Sequence, residues 1–208
     1  MNQAPLPATA PSLILASSSA YRKELLSRLQ LPFSAVSPDI DESPETGETP
    51  AQTALRLARQ KSEVIARKHP NSLIIGSDQV ATLDDEQIGK PGNHENALEQ
   101  LLKMRGRRVV FHTALCLLDN RADTTLPLQI ENIQTFVTFR HLSELELDAY
   151  LRIEQPYDCA GSAKNEGLGI AILEKIESTD PTALTGLPMI ALTGMLRRAG
   201  LAFFGIGS

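Results

Sequence analysis

The residues of this chain that can do chemistry are few, and the first group is compact. Ser17, Ser18 and Ser19 stand between an apolar run, Leu13 to Ala16, and a segment in which Leu25, Leu26 and Leu29 recur at helical spacing. That order reads as strand, hydroxyl-rich turn and helix. Arg22 and Lys23 then fall in the first helical turn, where the helix dipole is already positive and further cations are unfavourable. Free backbone N–H groups, the dipole and two cationic side chains converge on one point. A bound anion would relieve the conflict, and phosphate fits best. A solvated basic turn capped by serine is the competing reading, and the local pattern alone does not separate them.

The second group is scattered in sequence. Lys61 shares a helical face with Ala54, Ala58 and Ile65, a position where a lysine either snorkels to water or reaches an anion in a cleft. Asp78 follows the apolar run Leu73 to Ile75 and the pair Gly76-Ser77, and reads as a carboxylate where a strand ends. In open α/β sheets ligands bind beyond the carboxyl ends of strands. A carboxylate there holds a divalent metal or orients water, or else merely caps a turn. Lys90 precedes Pro91-Gly92, and Glu42 sits in an acidic loop, a context in which most carboxylates are only solvated. Arg22, Lys61 and Lys90 against Glu42 and Asp78 make the balance expected of a metal-bound polyphosphate: cations on phosphate oxygens, carboxylates on the metal.

Other chemistries find little support. There is no Walker A pattern, and Gly167-Leu168-Gly169 lacks the third glycine of a dinucleotide fingerprint. No serine lies in a nucleophile-elbow pattern. His69, His94, His112 and His141 are dispersed and read as surface or packing residues.

The elements that must position these groups follow from pattern. Short strands are expected at Leu13–Ala16 and Phe33–Val36, and an apolar strand at Leu73–Val80. A long helix opens at Thr49-Pro50, with proline near the favoured first position, and runs to about His69. Asp84-Asp85 reads as a hairpin tip. Asn93 caps a helix to Met104, and Ser143 with Glu146 forms a capping box for a helix to Glu154. Arg107–Leu118 and Ile130–Phe139 read as paired strands, Ile170–Leu173 as a further strand, and Pro188–Ala199 as a last helix stopped by Gly200. Alternation early and clustered strands later give an α/β fold with a mixed sheet. At 208 residues the chain reads as one unit, a domain over 13–208 behind a proline-containing arm over 1–12. The net charge of −5 argues against a general nucleic-acid surface. Cys116 and Cys159 have neither zinc nor secretory spacing, and no apolar run reaches membrane-spanning length, so a cytoplasmic protein is expected.

Six motifs, in order, resemble the Maf family of nucleoside triphosphate pyrophosphatases. They are Ser17-Ser18-Ser19-Ala20-Tyr21-Arg22-Lys23, Asp41-Glu42, Leu57-Ala58-Arg59-Gln60-Lys61, Gly76-Ser77-Asp78-Gln79-Val80, Gly89-Lys90-Pro91, and Cys159-Ala160-Gly161-Ser162-Ala163-Lys164-Asn165-Glu166-Gly167. The resemblance implies an elongated, Maf-like (ITPase-like) α/β fold with a twisted mixed sheet and a deep active-site cleft. It also implies a divalent metal, Mg2+ or Mn2+, and a homodimer. Its functional positions map to Ser17, Arg22, Glu42, Lys61, Asp78 and Lys90, with Asp78 as proton acceptor. The chain departs from the commonest pattern at Tyr21 (the first of two adjacent arginines), Gln79 (threonine) and Glu166 (glutamine), and has Ala20 for an early proline. An aromatic residue, Gln and Glu at the first three positions resemble the 7-methyl-GTP pyrophosphatase branch, which often has Trp where this chain has Tyr21.

The expected set is therefore Asp78, Lys61 and Lys90 as catalytic residues and Glu42 with Asp78 on the metal. Ser17, Tyr21, Arg22, Gln79 and Glu166 are expected on the substrate. The expected reaction cuts the α–β phosphoanhydride of a modified triphosphate, with no nucleic-acid polymer and no membrane as partner. A pyrimidine triphosphate (dTTP, UTP) pyrophosphatase and a nucleotide-binding regulator of septum formation are the alternatives.

Overall fold

A computed structural model describes residues 11–204. Its mixed sheet has the order β2-β1-β3-β5-β6-β7, with β4 paired to β3 off that path. Strand β1 (Ser12–Leu15) lies parallel to both β2 (Ser34–Ala35) and β3 (Ser72–Leu83). The remaining pairings, of β3 with β4 (Glu86–Ile88) and β5 (Arg108–Asp119), then β5 with β6 (Leu128–Phe139) and β6 with β7 (Leu173–Ser178), are antiparallel. The helices are α1 (Ala20–Ser27), α2 (Pro50–Ala66), α3 (His94–Met104), α4 (Glu144–Glu154) and α5 (Met189–Arg198). The α/β architecture with a mixed sheet is thus as expected. Ser12 already belongs to β1, and residues 1–10 of the expected arm lie outside the described residues.

Local chemistry sets the helix starts. Thr49 and Gln52 form a capping box with Pro50 behind them, Ser143 and Glu146 form another, and the Asn93 side chain accepts from the Asn96 N–H. Helix α2 lies on one sheet face, where Ala54 and Ala58 pack against Val80, Ala114 and Cys116. Contact is close at Gly76, where an added Cβ would lie 2.1 Å from the Ala58 carbonyl oxygen and 2.4 Å from Ser62 Oγ. Strand alternation sends Leu73, Ile75, Leu115 and Leu117 to the opposite face, into a core shared with α1 and α5. Further along that face Ala81, Val109, Phe111, Val137 and Phe139 enter a second core with α3 and α4. Between the two cores run Ser77, Gln79, Thr113 and Thr135, of which the Ser and both Thr residues are fully buried.

Two expected elements differ. Strand β3 does not end at Asp78; it continues to Leu83, because β5 pairs with it from Leu73 through Thr82. Asp78 is therefore a mid-strand residue. Residues Leu168–Ile172 form a 3-10 turn, and strand β7 begins only at Leu173. Its polar sequence, Leu-Glu-Lys-Ile-Glu-Ser, is that of a charged edge strand, which carries little apolar signal.

Candidate active site

A gap in strand pairing makes the cleft. Strand β1 pairs with β3 only as far as Ile75, and β4 rejoins that edge only at Ala81. The β3 edge from Gly76 to Val80 is left open between them. A cleft of about 790 Å³ lies against this edge, within the range of small-molecule sites. Ser17, Tyr21, Arg22, Glu42, Lys61, Asp78, Gln79, Lys90 and Glu166 all line it, so residues spread over most of the sequence meet at one place. Lys23 does not: it points to solvent one residue further round α1, so only one of the two expected cations reaches the cleft.

On the α2 side of the edge, Lys61 Nζ lies 2.7 Å from Asp78 Oδ1 and 2.7 Å from Glu42 Oε1. Lys61 and Asp78 side chains are 7% and 10% exposed, whereas Glu42 is 56% exposed. Burial pushes the Asp78 carboxyl above the usual carboxylate range, against the pull of Lys61 and Arg22. Burial also works to raise Glu42, but the hydrogen bond and charge of Lys61, with Lys90 and Arg22 beyond, outweigh it and hold Glu42 below that range. Arg56 of helix α2 ties down the loop that follows Glu42, donating to the Ser43 carbonyl at 2.9 Å and to both oxygens of Glu48 at 2.6 and 2.9 Å.

The serine turn is tightly built. The Ser19 N–H donates to Ser17 Oγ at 3.1 Å, and Ser19 Oγ caps α1 by accepting from the Arg22 N–H. The Arg22 side chain crosses the cleft floor, where Nε donates to the Gly186 carbonyl at 2.8 Å. Lys90 approaches from the loop after β4 and is exposed.

The opposite side of the edge is different in character. Gln79 Nε2 lies 2.9 Å from Thr113 Oγ1 and 3.0 Å from the carbonyl oxygens of both Ala183 and Leu184. Apolar surface from Phe111, Val137, Phe139, Leu173 and Leu184 lines this end, closed by Tyr21 and by the exposed Glu166. Lys164 Nζ stands 5.8 Å from the Tyr21 ring centre and 3.3 Å from Glu154 Oε1, and those two partners, Tyr21 first, hold its ammonium well above the usual lysine range. Sequence reasoning missed the wall Leu184-Thr185-Gly186. Its only signal was the turn chemistry of Asp180-Pro181 and Gly186 ahead of Pro188.

Among the described residues, no three of His, Cys, Asp and Glu come together as a complete ligand set for a metal. Two carboxylates facing a cationic cleft fit a different arrangement, in which Mg2+ is held by one or two carboxylates plus substrate phosphates and water.

Fold and cleft together define an α/β protein whose cleft sets Lys61, Asp78 and Glu42 on one side of β3 and an apolar lining on the other. The chain belongs to the Maf family: residues 12–199 match the family described as Maf-like protein. It is 67% identical over 197 residues to the 7-methyl-GTP pyrophosphatase of Cupriavidus metallidurans, covering 95% of this chain and 98% of that one. Proteins of the same name from Ralstonia nicotianae and Cupriavidus pinatubonensis are 64% and 60% identical, over 93% of this chain and 98% and 96% of theirs. Among solved structures, a nucleoside-triphosphatase (dITP/XTP pyrophosphatase) from Mycobacterium abscessus aligns over 94% of this chain and 100% of its own, with 17% identity and a TM-score of 0.42.

Proposed function

We propose that this protein hydrolyses 7-methyl-GTP to 7-methyl-GMP and pyrophosphate. The observation that carries the reading is strand alternation in the cleft: Asp78 meets Lys61 on one side of β3, and Gln79, its neighbour, meets Thr113 and the Ala183 and Leu184 carbonyls on the other, in a cleft lined also by apolar side chains. Arg22, Lys61 and Lys90 take the phosphate oxygens. Asp78 orients the attacking water and accepts its proton. Water adds to the α-phosphorus, the bond to the bridging oxygen breaks, and pyrophosphate leaves. Glu42 and Asp78 would hold a divalent cation arriving with the triphosphate, which supplies charge neutralisation at the phosphates.

Tyr21, Gln79 and Glu166 mark the apolar end of the cleft as the base site. N7-methylation gives the purine a positive charge, and a cationic ring stacks favourably on an aromatic face, for about 0.5–2 kcal/mol. The N1–H and exocyclic amine of guanine present two donors, and a carboxylate such as Glu166 is the matching acceptor, at about 1.5–3 kcal/mol for each charge-assisted bond. A pyrimidine offers neither feature. The relatives named for this activity support the same assignment. A homodimer is part of the family reading. Two free cysteines support a reducing compartment such as the cytoplasm. Among the described residues, no helix is long and apolar enough to cross a membrane. The net charge of −5 supports a nucleotide rather than a nucleic-acid polymer as partner.

The test is Asp78→Asn. Folding and nucleotide binding are expected to persist while turnover falls roughly 10²–10⁴-fold. Near-normal turnover at saturating metal would remove Asp78 from the mechanism.

A further inference from the structure

The segment Ala183–Gly186 is held to the sheet almost entirely through its carbonyl oxygens. Gly186 O accepts from Arg22 Nε at 2.8 Å and lies 2.9 Å from Ser77 Oγ. Ala183 O lies 3.0 Å from both Thr113 Oγ1 and Gln79 Nε2, and Leu184 O lies 3.0 Å from Gln79 Nε2. The Gln79 amide nitrogen carries two protons and faces three oxygens. Ala183 O already accepts from the Gly186 N–H at 2.9 Å and is the only acceptor within reach of the Thr113 hydroxyl proton, so the amide protons go to Thr113 Oγ1, 2.9 Å away, and to Leu184 O. The single Thr113 proton is then committed to Ala183 O. Swapping the Gln79 amide would place its oxygen against two carbonyl oxygens, so the network also fixes that amide's orientation.

Thr113 is fully buried and does not line the cleft, whereas Leu184, Thr185 and Gly186 do. We propose that Thr113 is a positioning residue for base selection: by relaying the Gln79 amide to the Ala183 carbonyl, it sets where the Leu184–Thr185 wall stands against the base. This rests on the base-site reading above. The two ends of the wall are held by different side chains and joined by the Gly186 N–H, which donates to Ala183 O at 2.9 Å. The Gly186 carbonyl, beside the phosphate side, accepts from Arg22 Nε, with Ser77 Oγ 2.9 Å away and shared with Ala114 O. The Ala183–Leu184 end, beside the apolar chamber, depends on Gln79 and Thr113. Loss of the Thr113 hydroxyl therefore loosens the base wall and leaves the phosphate side seated. Selection, a difference between two substrates, suffers more than chemistry common to both.

The test is Thr113→Val, which keeps the shape and removes the hydroxyl, with Thr113→Ser as the rescue. Three quantities are read for wild type and both variants: kcat/KM for 7-methyl-GTP, kcat/KM for GTP and dTTP, and backbone amide hydrogen exchange over 182–187. Thr113→Val is expected to lower the 7-methyl-GTP preference about tenfold, the scale of one hydrogen bond, to speed exchange at Gly186, whose N–H donates to Ala183 O at 2.9 Å, and to leave Thr182, whose N–H donates to Asp180 Oδ1, protected. Thr113→Ser is expected to restore both. Equal losses on all substrates, unchanged exchange in the wall, or no rescue by serine would overturn the proposal. A wild type that prefers dTTP would instead refute the base assignment. The exchange pattern and the change in whichever preference the wild type shows would still decide the role of Thr113.

Discussion

Replacing Lys61 with methionine tests the charged heart of the cleft without altering its shape much. Lys61 Nζ sits 2.7 Å from Asp78 and from Glu42, but the two contacts are unequal. Asp78 is 10% exposed and Glu42 is 56% exposed. The pair with Glu42 is worth no more than about 1 kcal/mol, as exposed pairs are. The pair with Asp78 is buried, so removing the lysine strands a carboxylate in the interior, at a cost of about 3–5 kcal/mol. Removing the acid instead, by Asp78→Leu, leaves Lys61 with Glu42 and should cost less, about 1–3 kcal/mol. The double variant carries no uncompensated buried charge and should be more stable than Lys61→Met alone, since well-packed apolar replacements of buried pairs are often neutral. Urea unfolding at pH 7.5 of the wild type, both singles and the double gives the coupling directly. Simple additivity of the two single costs would refute the reasoning, and would mean that Lys61 reaches water and stands apart from Asp78.

Three further outcomes follow from the same geometry. Gly76→Ala drives a methyl group to within 2.4 Å of Ser62 Oγ and closer still to a helix carbonyl, so a loss of at least about 1–3 kcal/mol is expected in thermal unfolding; an unchanged melting temperature would show that α2 can move off the sheet freely. Asp180, 2% exposed, accepts from the Ile190 and Ala191 N–H groups at 2.7 and 3.1 Å and so caps α5 from outside the helix. Asp180→Asn should cost about 1–3 kcal/mol, and an unfolding free energy equal to wild type would dismiss the cap. Glu48 is held down to about 2, chiefly by its hydrogen bond from Arg56 and by the Glu45 N–H. A depressed carboxyl contributes stability above its unfolded value near 4.5, and that contribution fades as pH falls from there towards about 2. The melting-temperature gap between wild type and Glu48→Gln should therefore be full at pH 6 and close progressively below pH 4.5; a gap independent of pH would contradict the ion pair.

Much of this site was legible in the sequence because its parts announce themselves locally. The serine turn ahead of α1, the lysine in an apolar helical stripe and the carboxylate after an apolar run each break a local rule, and all three line one cleft. The capping residues Thr49, Asn93 and Ser143 fixed three helix starts for the same reason. What stayed hidden depends on long-range pairing. The polar run Ser77–Gln79 looks like a strand end, and only its partnership with β5 keeps it extended. The open edge of β3 arises from where β1 stops and β4 starts, which no window of residues encodes. Likewise Thr113 and the Ala183 carbonyl are 70 residues apart, joined by a hydrogen bond rather than by any pattern. Lys23, which shares the basic turn with Arg22, shows the converse: helix geometry turns one cation into the cleft and the next away from it.

The most direct test of the central claim is a competition among substrates for the purified wild-type protein with Mg2+ present. Pyrophosphate release and nucleoside monophosphate formation would be followed for 7-methyl-GTP, GTP, dTTP and UTP. The account predicts stoichiometric pyrophosphate and 7-methyl-GMP, with kcat/KM highest for 7-methyl-GTP and lower for the pyrimidine triphosphates. A higher kcat/KM for dTTP or UTP would contradict the assignment of Tyr21, Gln79 and Glu166 to the methylated base, and release of orthophosphate in place of pyrophosphate would contradict attack at the α-phosphorus.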